Sequence, residues 1–163
     1  RVFKMFREIR RKKQQLSDDE CREILETGKT AVLAVHGDDD YPYTIPLNYV
    51  YYEGNIFFHC AKTGHKLDAI ERNHKVSICV IKQDDVVQQK FTTYYKSVVC
   101  FGRAEMVLDT DEIKKATTVL SEKYCPDHIE GIPAELEKGF PALAVVKITP
   151  EFITGKQCIE LVK

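Results

Sequence analysis

Several hallmarks of common protein classes are missing from this sequence. No apolar run approaches the ~18 residues that a membrane-spanning helix needs, and no signal-peptide pattern precedes Met5. There is no GxSxG elbow, no P-loop, no GxGxxG motif and no clear pair of carboxylates in apolar surroundings, so nothing resembles a hydrolytic site. Lysine and arginine total 24 against 25 acidic residues, and this balance gives no net field that would favour nucleic acid or an anionic membrane.

Cysteine is present, but not in the spacing of a metal site. The six cysteines show neither a CxxC motif nor Cys/His ligand spacing. We therefore expect reduced thiols in a cytoplasmic protein, with no disulfide framework and no bound metal. A cysteine nucleophile is the alternative, although a buried cysteine usually behaves as a small hydrophobic residue.

The exception to the charge balance is the first stretch of chain. The segment "REIRRKKQQ" (residues 7–15) places five basic residues together: Arg7, Arg10, Arg11, Lys12 and Lys13. We interpret residues 1–16 as a basic N-terminal arm on a single domain that spans 1–163. Such a run is usually solvated or lies between subunits, and contact with nucleic acid is the alternative.

The spacing of apolar residues predicts helices separated by strands. Ser17 and Glu20 form a capping box that begins a helix ending near Gly28. Further helices are predicted between Gly64 and Asn73 and over 109–124, followed by a loop that contains Pro126 and Pro133. A period of two predicts strands at 30–36, 41–55, 56–61, 75–81 and 94–108, with the last strand material at 141–148 and 151–157.

This order of elements indicates an α+β fold. The strands are mostly antiparallel and have helices set between them. Six or so strands of this length suit a small closed barrel. Residues 82–90 are polar and are predicted to form a mobile loop. Gly102 is expected to mark a bend in its long strand.

The stretch "FFHCAKTGHKLDAI" predicts an anion site. A helix that starts after Gly64 offers unpaired N–H groups and the positive end of its dipole, and His65 and Lys66 add potential charge. An ordinary helix with a solvent-facing lysine is the alternative interpretation.

A neighbouring strand is expected to leave backbone groups free for a ligand. Pro46 has no N–H to donate to a ladder hydrogen bond and should mark an edge or a bulge. Asn48, two residues on, lies on the same face of the strand. A flat heteroaromatic with imide and carbonyl groups would fit there. His59 shares a strand face with Phe57 and Ala61; a structural role is its ordinary explanation, and no second ligand at metal spacing accompanies it. Together these features favour a phosphorylated cofactor over covalent protein chemistry.

Three longer segments resemble a known family: "RRKKQQLSDDECREILETG", "YPYTIPLNYVYYEGNIFFHCAKTGHKLDAIERNHKVSICV" and "FTTYYKSVVCFGRAE". They look like the flavoproteins related to 5-nitroimidazole resistance proteins (Nim-type), within the pyridoxamine 5′-phosphate oxidase-like superfamily. The resemblance runs from Met5 to Gln157. It implies a six-stranded, mostly antiparallel split β-barrel with flanking helices, and a homodimer that binds FMN in two symmetric clefts at its interface.

The resemblance also implies roles for individual residues. The FMN phosphate would be held by Gly64, His65 and Lys66. The ribityl chain and ring would run beside His59, Cys60 and Ala61. The isoalloxazine would be lined by Pro46, Leu47, Asn48 and Tyr49. Ser97 matches a position that often contacts the flavin, and the partner chain would cap the cofactor near Phe140 and Phe152.

The activity implied is that of an FMN-dependent oxidoreductase. It would take electrons from NAD(P)H or another donor and reduce a small electron-poor acceptor such as a nitroaromatic or nitroimidazole, with His59 or His65 as candidate proton donors. The chain has Gly-His-Lys where the oxidases proper usually place a Ser-Arg-Lys type cluster, and it lacks their arginine-rich C-terminal segment. Pyridoxamine 5′-phosphate oxidation is therefore a weaker alternative. A flavin-binding or flavin-sensing protein without turnover is another, and a basic-arm binding module is a third.

Overall fold

The computed structural model describes residues 5–163, so the first four residues of the predicted arm lie outside it. Within that range the α-helices are α1 (Asp18–Thr27), α2 (His65–Arg72), α3 (Thr110–Tyr124) and α4 (Ile132–Gly139). The strands are β1 (Ala31–His36), β2 (Pro42–Leu47), β3 (Val50–Tyr52), β4 (Asn55–Ala61), β5 (Lys75–Val87), β6 (Thr92–Met106) and β7 (Leu143–Gln157). None of the helices in residues 5–163 combines the length and the apolar composition that crossing a membrane requires.

The strands form one antiparallel sheet in the order β2-β1-β5-β6-β7-β4-β3. Strands β2 and β3 lie at opposite edges of this sheet, yet only Asn48 and Tyr49 separate them in the chain. The sheet must therefore curl until its two edges approach each other. No ladder between β2 and β4 closes it within the described residues, so the barrel stays split along this seam.

The predicted α+β class is confirmed, but the count of six strands and the closed barrel are wrong. The sheet has seven strands because the predicted strand 41–55 divides at Asn48 and Tyr49. The two predicted final strands are one strand, β7, and the β6–β7 register shifts at Phe101/Gly102. A side chain at Gly102 would collide with the carbonyl of Thr149, which explains the glycine at this irregularity.

Two other predictions were wrong for identifiable reasons. The polar segment 82–90 is not a mobile loop: residues up to Val87 continue β5, because Asp85 and Val86 pair with Tyr94 and Thr93 in a β-hairpin. The region around Pro133 is not only loop, since α4 begins at Ile132. Proline is tolerated in the first turn of a helix, where its missing N–H has no intrahelical partner.

The helix starts follow the sequence closely. The Glu20 backbone N–H donates to Ser17 Oγ at 3.2 Å, and the Ser17 N–H donates to the Glu20 carboxylate at 2.9 Å, which completes the capping box of α1. At α3 the Asp109 side chain accepts from Glu112 N at 2.8 Å.

Two apolar clusters hold the sheet and helices together. The barrel interior packs side chains from the inner face of the sheet against α1 and α2, with Leu25, Leu33, Ile78, Val98 and Ile148 buried almost completely. A smaller cluster on the opposite face of β4 and β7 buries α3: Val50, Phe57, Val107, Ala116, Leu120 and Val145. Strand β4 is thus covered on both faces over part of its length, and only its C-terminal end is open.

Candidate functional site

The open seam of the barrel is the first feature of the site. Strands β3 and β4 pair only as far as Val50 opposite Phe57. If this register continued, His59 would face Asn48, and Ala61 would face Pro46, but no ladder is formed there. The seam is therefore bordered by β2 on one side and the end of β4 on the other, and both borders keep backbone groups unpaired.

Polar and small side chains line the two borders on the outer face. Pro46, Asn48, His59 and Ala61 are all exposed, whereas Leu47 and Cys60 pack partly against the barrel core. From Asn48 to Tyr43 the seam runs for about 17 Å, at about 3.3 Å per residue. The prediction that Pro46 marks a sheet edge is confirmed, because β2 is an edge strand.

Helix α2 begins at one end of the seam. Its N-cap, Gly64, has φ +145°, a conformation that favours glycine, and no atom lies within 4 Å of the position that a Cβ would occupy. No side chain caps this helix. The carbonyl of Gly64 accepts from Leu67 and Asp68 at 3.0 and 3.1 Å, so the N–H groups that precede them remain directed away from the helix.

Lys66 brings a cation to this helix start. It is half-buried, and no hydrogen bond or ion pair joins its ammonium group to any of residues 5–163. A half-buried ammonium beside uncapped N–H groups forms a donor set that suits an anion.

His65 is held in place by two contacts. Its ring stacks on Tyr43 with centroids 4.2 Å apart, and its Nε2 lies 3.6 Å from the Asp38 carboxylate. Asp38 also accepts from Arg72 at 2.9 Å, which ties both ends of α2 to the turn before β2. The stacked pair joins the start of α2 to β2 at one end of the seam.

The end of β4 carries the other candidate groups. His59 is exposed and makes no hydrogen bond to any described residue, so it is the less constrained of the two candidate proton donors. Burial raises the pKa of the Cys60 thiol, and the positive charge of Lys66 opposes that shift. A neutral thiol is a poor nucleophile, which disfavours covalent chemistry at Cys60.

Tyr49 is placed differently from the other predicted ring-lining residues. Its side chain is fully buried, and its hydroxyl donates to the carbonyl of Leu25 at 2.7 Å. Gly28 leaves the space for this ring, because a Cβ there would collide with the Tyr49 hydroxyl. Tyr49 therefore anchors the seam from inside the core.

The remaining predicted residues lie at different distances along the sheet. Ser97 is half-buried and pairs with Ile81 across strands β5 and β6, one position along from the Val80–Val98 pair. Phe152 stacks on Phe6 of the N-terminal arm, with centroids 5.1 Å apart. Phe140 lines a separate cavity of about 630 Å³ between α3 and α4, and none of the seam residues lines that cavity. Whether Phe140 or Phe152 caps a cofactor from a partner chain stays a prediction.

Comparison with known proteins identifies the family. The family model described as pyridoxamine 5′-phosphate oxidase matches residues 17–157, which include both borders of the seam and helix α2. The chain belongs to this family. The resemblance seen in the sequence is thereby confirmed at the level of the superfamily, and a comparison with curated proteins finds no match.

Solved structures share the fold of this family member at low identity. A candidate 5-nitroimidazole antibiotic resistance protein from Bacteroides thetaiotaomicron has TM-score 0.74 and 19% identity, covering 88% of this chain and 86% of its own. A conserved hypothetical protein from Mycobacterium tuberculosis has TM-score 0.80 and 17% identity, with 92% and 90% covered. An FAD-binding protein from Mesorhizobium loti has TM-score 0.64 and 24% identity, with 88% and 95% covered.

Sequence reasoning missed the residues that support this site from α3 and from the turn before β2. Tyr124 and Lys123 contact the backbone of Tyr49, and Asp38 contacts His65. The amphipathic pattern of α3 indicates that Tyr124 faces inward, but nothing in the pattern identifies a partner 75 residues away.

Proposed function

We propose that this protein is a flavoprotein that binds FMN at the seam and acts as an oxidoreductase on a small electron-poor acceptor such as a nitroaromatic. The observation that carries the proposal is the start of α2. There Lys66 is half-buried without an anionic partner among the described residues, next to N–H groups that no side chain caps. A phosphate monoester would supply the missing anion.

The rest of the seam fits the rest of the cofactor. No atom lies within 4 Å of the Cβ position at Gly64, so the space beside the helix start is open at that point. The unpaired edges of β2 and β4 offer backbone donors and acceptors to the ribityl chain and to the polar edge of the ring. Asn48 and His59 lie at the opposite end of the seam from α2 and would meet the ring. Solved structures of similar fold that are described as binding FAD support a flavin in general, and a helix start that suits one phosphate monoester is our reason for proposing FMN.

The isoalloxazine ring supplies the hydride or electron transfer when it is bound. The chain's own contribution is to bind the phosphate, orient the ring and deliver protons. We assign proton delivery to His59, because its imidazole is exposed and free of hydrogen bonds to residues 5–163, whereas the His65 ring is engaged by Tyr43 and Asp38.

We also propose that the protein works as a homodimer. An apolar row crosses the outer face of the sheet from Pro46. Pro46 pairs with Val32, Val32 with Cys79, and Cys79 with Val99. Ile81 and Phe101, on the same face, are 60% and 39% exposed. A second copy that covered this face would stand beside the seam and could complete the cofactor site.

Two experiments test these proposals in turn. Titration of the apoprotein with FMN, followed by rapid mixing with NADH or NADPH and a screen of nitroaromatic acceptors, should show binding, bleaching of the flavin absorbance and its recovery on acceptor addition. Binding without reduction by any donor would favour a flavin sensor. Absence of FMN binding would refute the proposal.

The dimer is tested by mass in solution. Sedimentation equilibrium of the wild-type protein should give a mass of twice the 18.8 kDa of one chain. Ile81→Lys should shift it towards the monomer and lower FMN affinity, whereas Leu108→Lys, at another exposed apolar residue (88% exposed), should do neither. A wild-type protein that stays monomeric with FMN bound would contradict the dimer proposal.

A further inference from the structure

The end of helix α3 takes the place of a strand partner for Tyr49. Beyond Val50 the β3–β4 ladder stops, so the backbone of Tyr49 has no partner on β4. Its N–H donates instead to the hydroxyl of Tyr124 at 3.1 Å, and its carbonyl accepts from Lys123 Nζ at 2.9 Å. Both backbone groups are thus satisfied by side chains of α3.

The same hydroxyl reaches a second piece of backbone. Tyr124 Oη lies 2.6 Å from the carbonyl oxygen of Lys29 and 3.1 Å from that of Tyr49. A tyrosine hydroxyl has one proton. Because Lys123 already serves the Tyr49 carbonyl, that proton is best donated to Lys29, at the shorter distance. Tyr124 therefore links the α1–β1 connection to the point where β2 leaves the barrel.

This link also orients Asn48. The Asn48 amide nitrogen donates to the same Lys29 carbonyl, at 3.1 Å. With its NH₂ group bound to Lys29, the side chain retains its carbonyl oxygen as a hydrogen-bond acceptor at the exposed end of the seam. Of the polar groups on a flavin ring, the imide N–H is a donor and so matches this acceptor.

The support is rigid on its far side as well. The Tyr49 ring is fully buried, its hydroxyl is fixed to Leu25, and Lys123 Nζ lies 4.0 Å from the ring centroid. The backbone next to Asn48 is thereby held on one side by the core and on the other by α3. Removal of the α3 contacts leaves Lys29 and Asn48 to find a new arrangement.

We infer that Tyr124, with Lys123, is a positioning residue that holds Asn48 so that its carbonyl oxygen accepts a hydrogen bond from the imide N–H of the flavin ring. The inference rests on the proposed flavin site and adds a determinant of ring recognition that lies outside the seam. Neither α3 residue lies on a border of the seam; Tyr124 acts through the backbone of Lys29 and Tyr49, and Lys123 acts through the carbonyl of Tyr49.

The test compares FMN with FMN methylated at its imide nitrogen, a probe that lacks this donor. The wild-type protein should bind FMN more tightly than the methylated probe. In Tyr124→Phe this preference should fall about three- to tenfold, the ratio that corresponds to one net hydrogen bond. Asn48→Ala should lose the preference as well.

Thr117→Val is the matched control, because it removes another buried α3 hydroxyl, one bonded within the helix to Ile113 at 2.7 Å. It should keep the full preference. Tyr124→Phe that also keeps it, or a wild-type protein without any preference, would overturn the inference. If Tyr124→Phe does not fold, Lys123→Met takes its place and should show a smaller fall in the preference for FMN over the methylated probe. An unchanged preference in Lys123→Met would also overturn the inference. A wild-type protein that binds neither probe refutes the proposed function itself, which is a distinct result.

Discussion

Replacement of Lys66 by glutamine removes one positive charge at the start of α2 and keeps a side chain of similar length. Lys66 is half-buried and has no carboxylate partner within residues 5–163, so the charge that it offers is not already neutralised by the protein. A hydrogen bond to a charged group is worth roughly 1.5–3 kcal/mol. The expected loss of FMN affinity is therefore about 10- to 150-fold, at about 1.4 kcal/mol for each factor of ten.

The assay should separate the phosphate from the rest of the cofactor. Riboflavin has the same ring and ribityl chain without the phosphate, so Lys66→Gln should leave its affinity unchanged. Lys62→Gln is the matched control, since Lys62 is an exposed lysine in the same β4–α2 connection. Fluorescence titration at low ionic strength gives all the affinities with the least screening.

Two results would refute the reasoning on Lys66. An equal loss for FMN and riboflavin would mean that Lys66 acts through the fold and not on the phosphate. Unchanged FMN affinity in Lys66→Gln would mean that the anion is held elsewhere.

Two further predictions concern the support behind the seam. Gly28→Ala should lower the free energy of unfolding by about 1–3 kcal/mol, because the new Cβ would collide with the Tyr49 hydroxyl and Val80 and lie 2.8 Å from the Ile24 carbonyl. Gly139→Ala is the control and should not lower it, since no atom lies within 4 Å of the new Cβ. Equal urea midpoints for the two variants would contradict this packing. Burial lowers the pKa of Lys123 from 10.5 to about 8. Between about pH 8 and 10.5 the unfolded chain therefore binds more protons at this lysine than the folded chain does. The wild-type protein should gain stability relative to Lys123→Met as pH rises through that window. Urea titrations on both sides of the window measure this difference, and one that does not change with pH would show that Lys123 titrates normally.

Local signals in the sequence were sufficient for much of the framework. The Ser17/Glu20 capping box, the stop at Gly28 and the edge position of Pro46 each follow from the chemistry of one or two residues, and all are confirmed. The start of α2 after Gly64 is confirmed as well, and Gly64 adopts φ +145°, a conformation that favours glycine.

What the sequence did not reveal depends on partners that are distant in the chain. Residues 82–87 look like a loop because they are polar, and only their pairing with 92–96 makes them a strand. The break at Asn48 and Tyr49 depends on Tyr124 and Lys123, which supply the hydrogen bonds that a continuous strand would have taken from β4. Periodicity carries no information about such a contact, since it reports which face is buried and not what the buried face meets.

The sequence predicts the parts of the candidate site but not their arrangement. Two roles stay predictions: an anion site at Gly64 to Lys66, and a flavin-lining role for the residues on both borders of the seam. Their meeting along one open seam follows from the curl of the sheet, which brings its two edges together. The stacking of His65 on Tyr43 likewise depends on this curl.

The most direct test of the central claim is a crystal structure of the protein grown with FMN. We predict the phosphate within hydrogen-bond distance of the backbone N–H groups that open α2 and of the Lys66 ammonium, with the ring at the Asn48 end of the seam. A phosphate found away from α2, or a seam that stays empty at saturating FMN, would contradict the account.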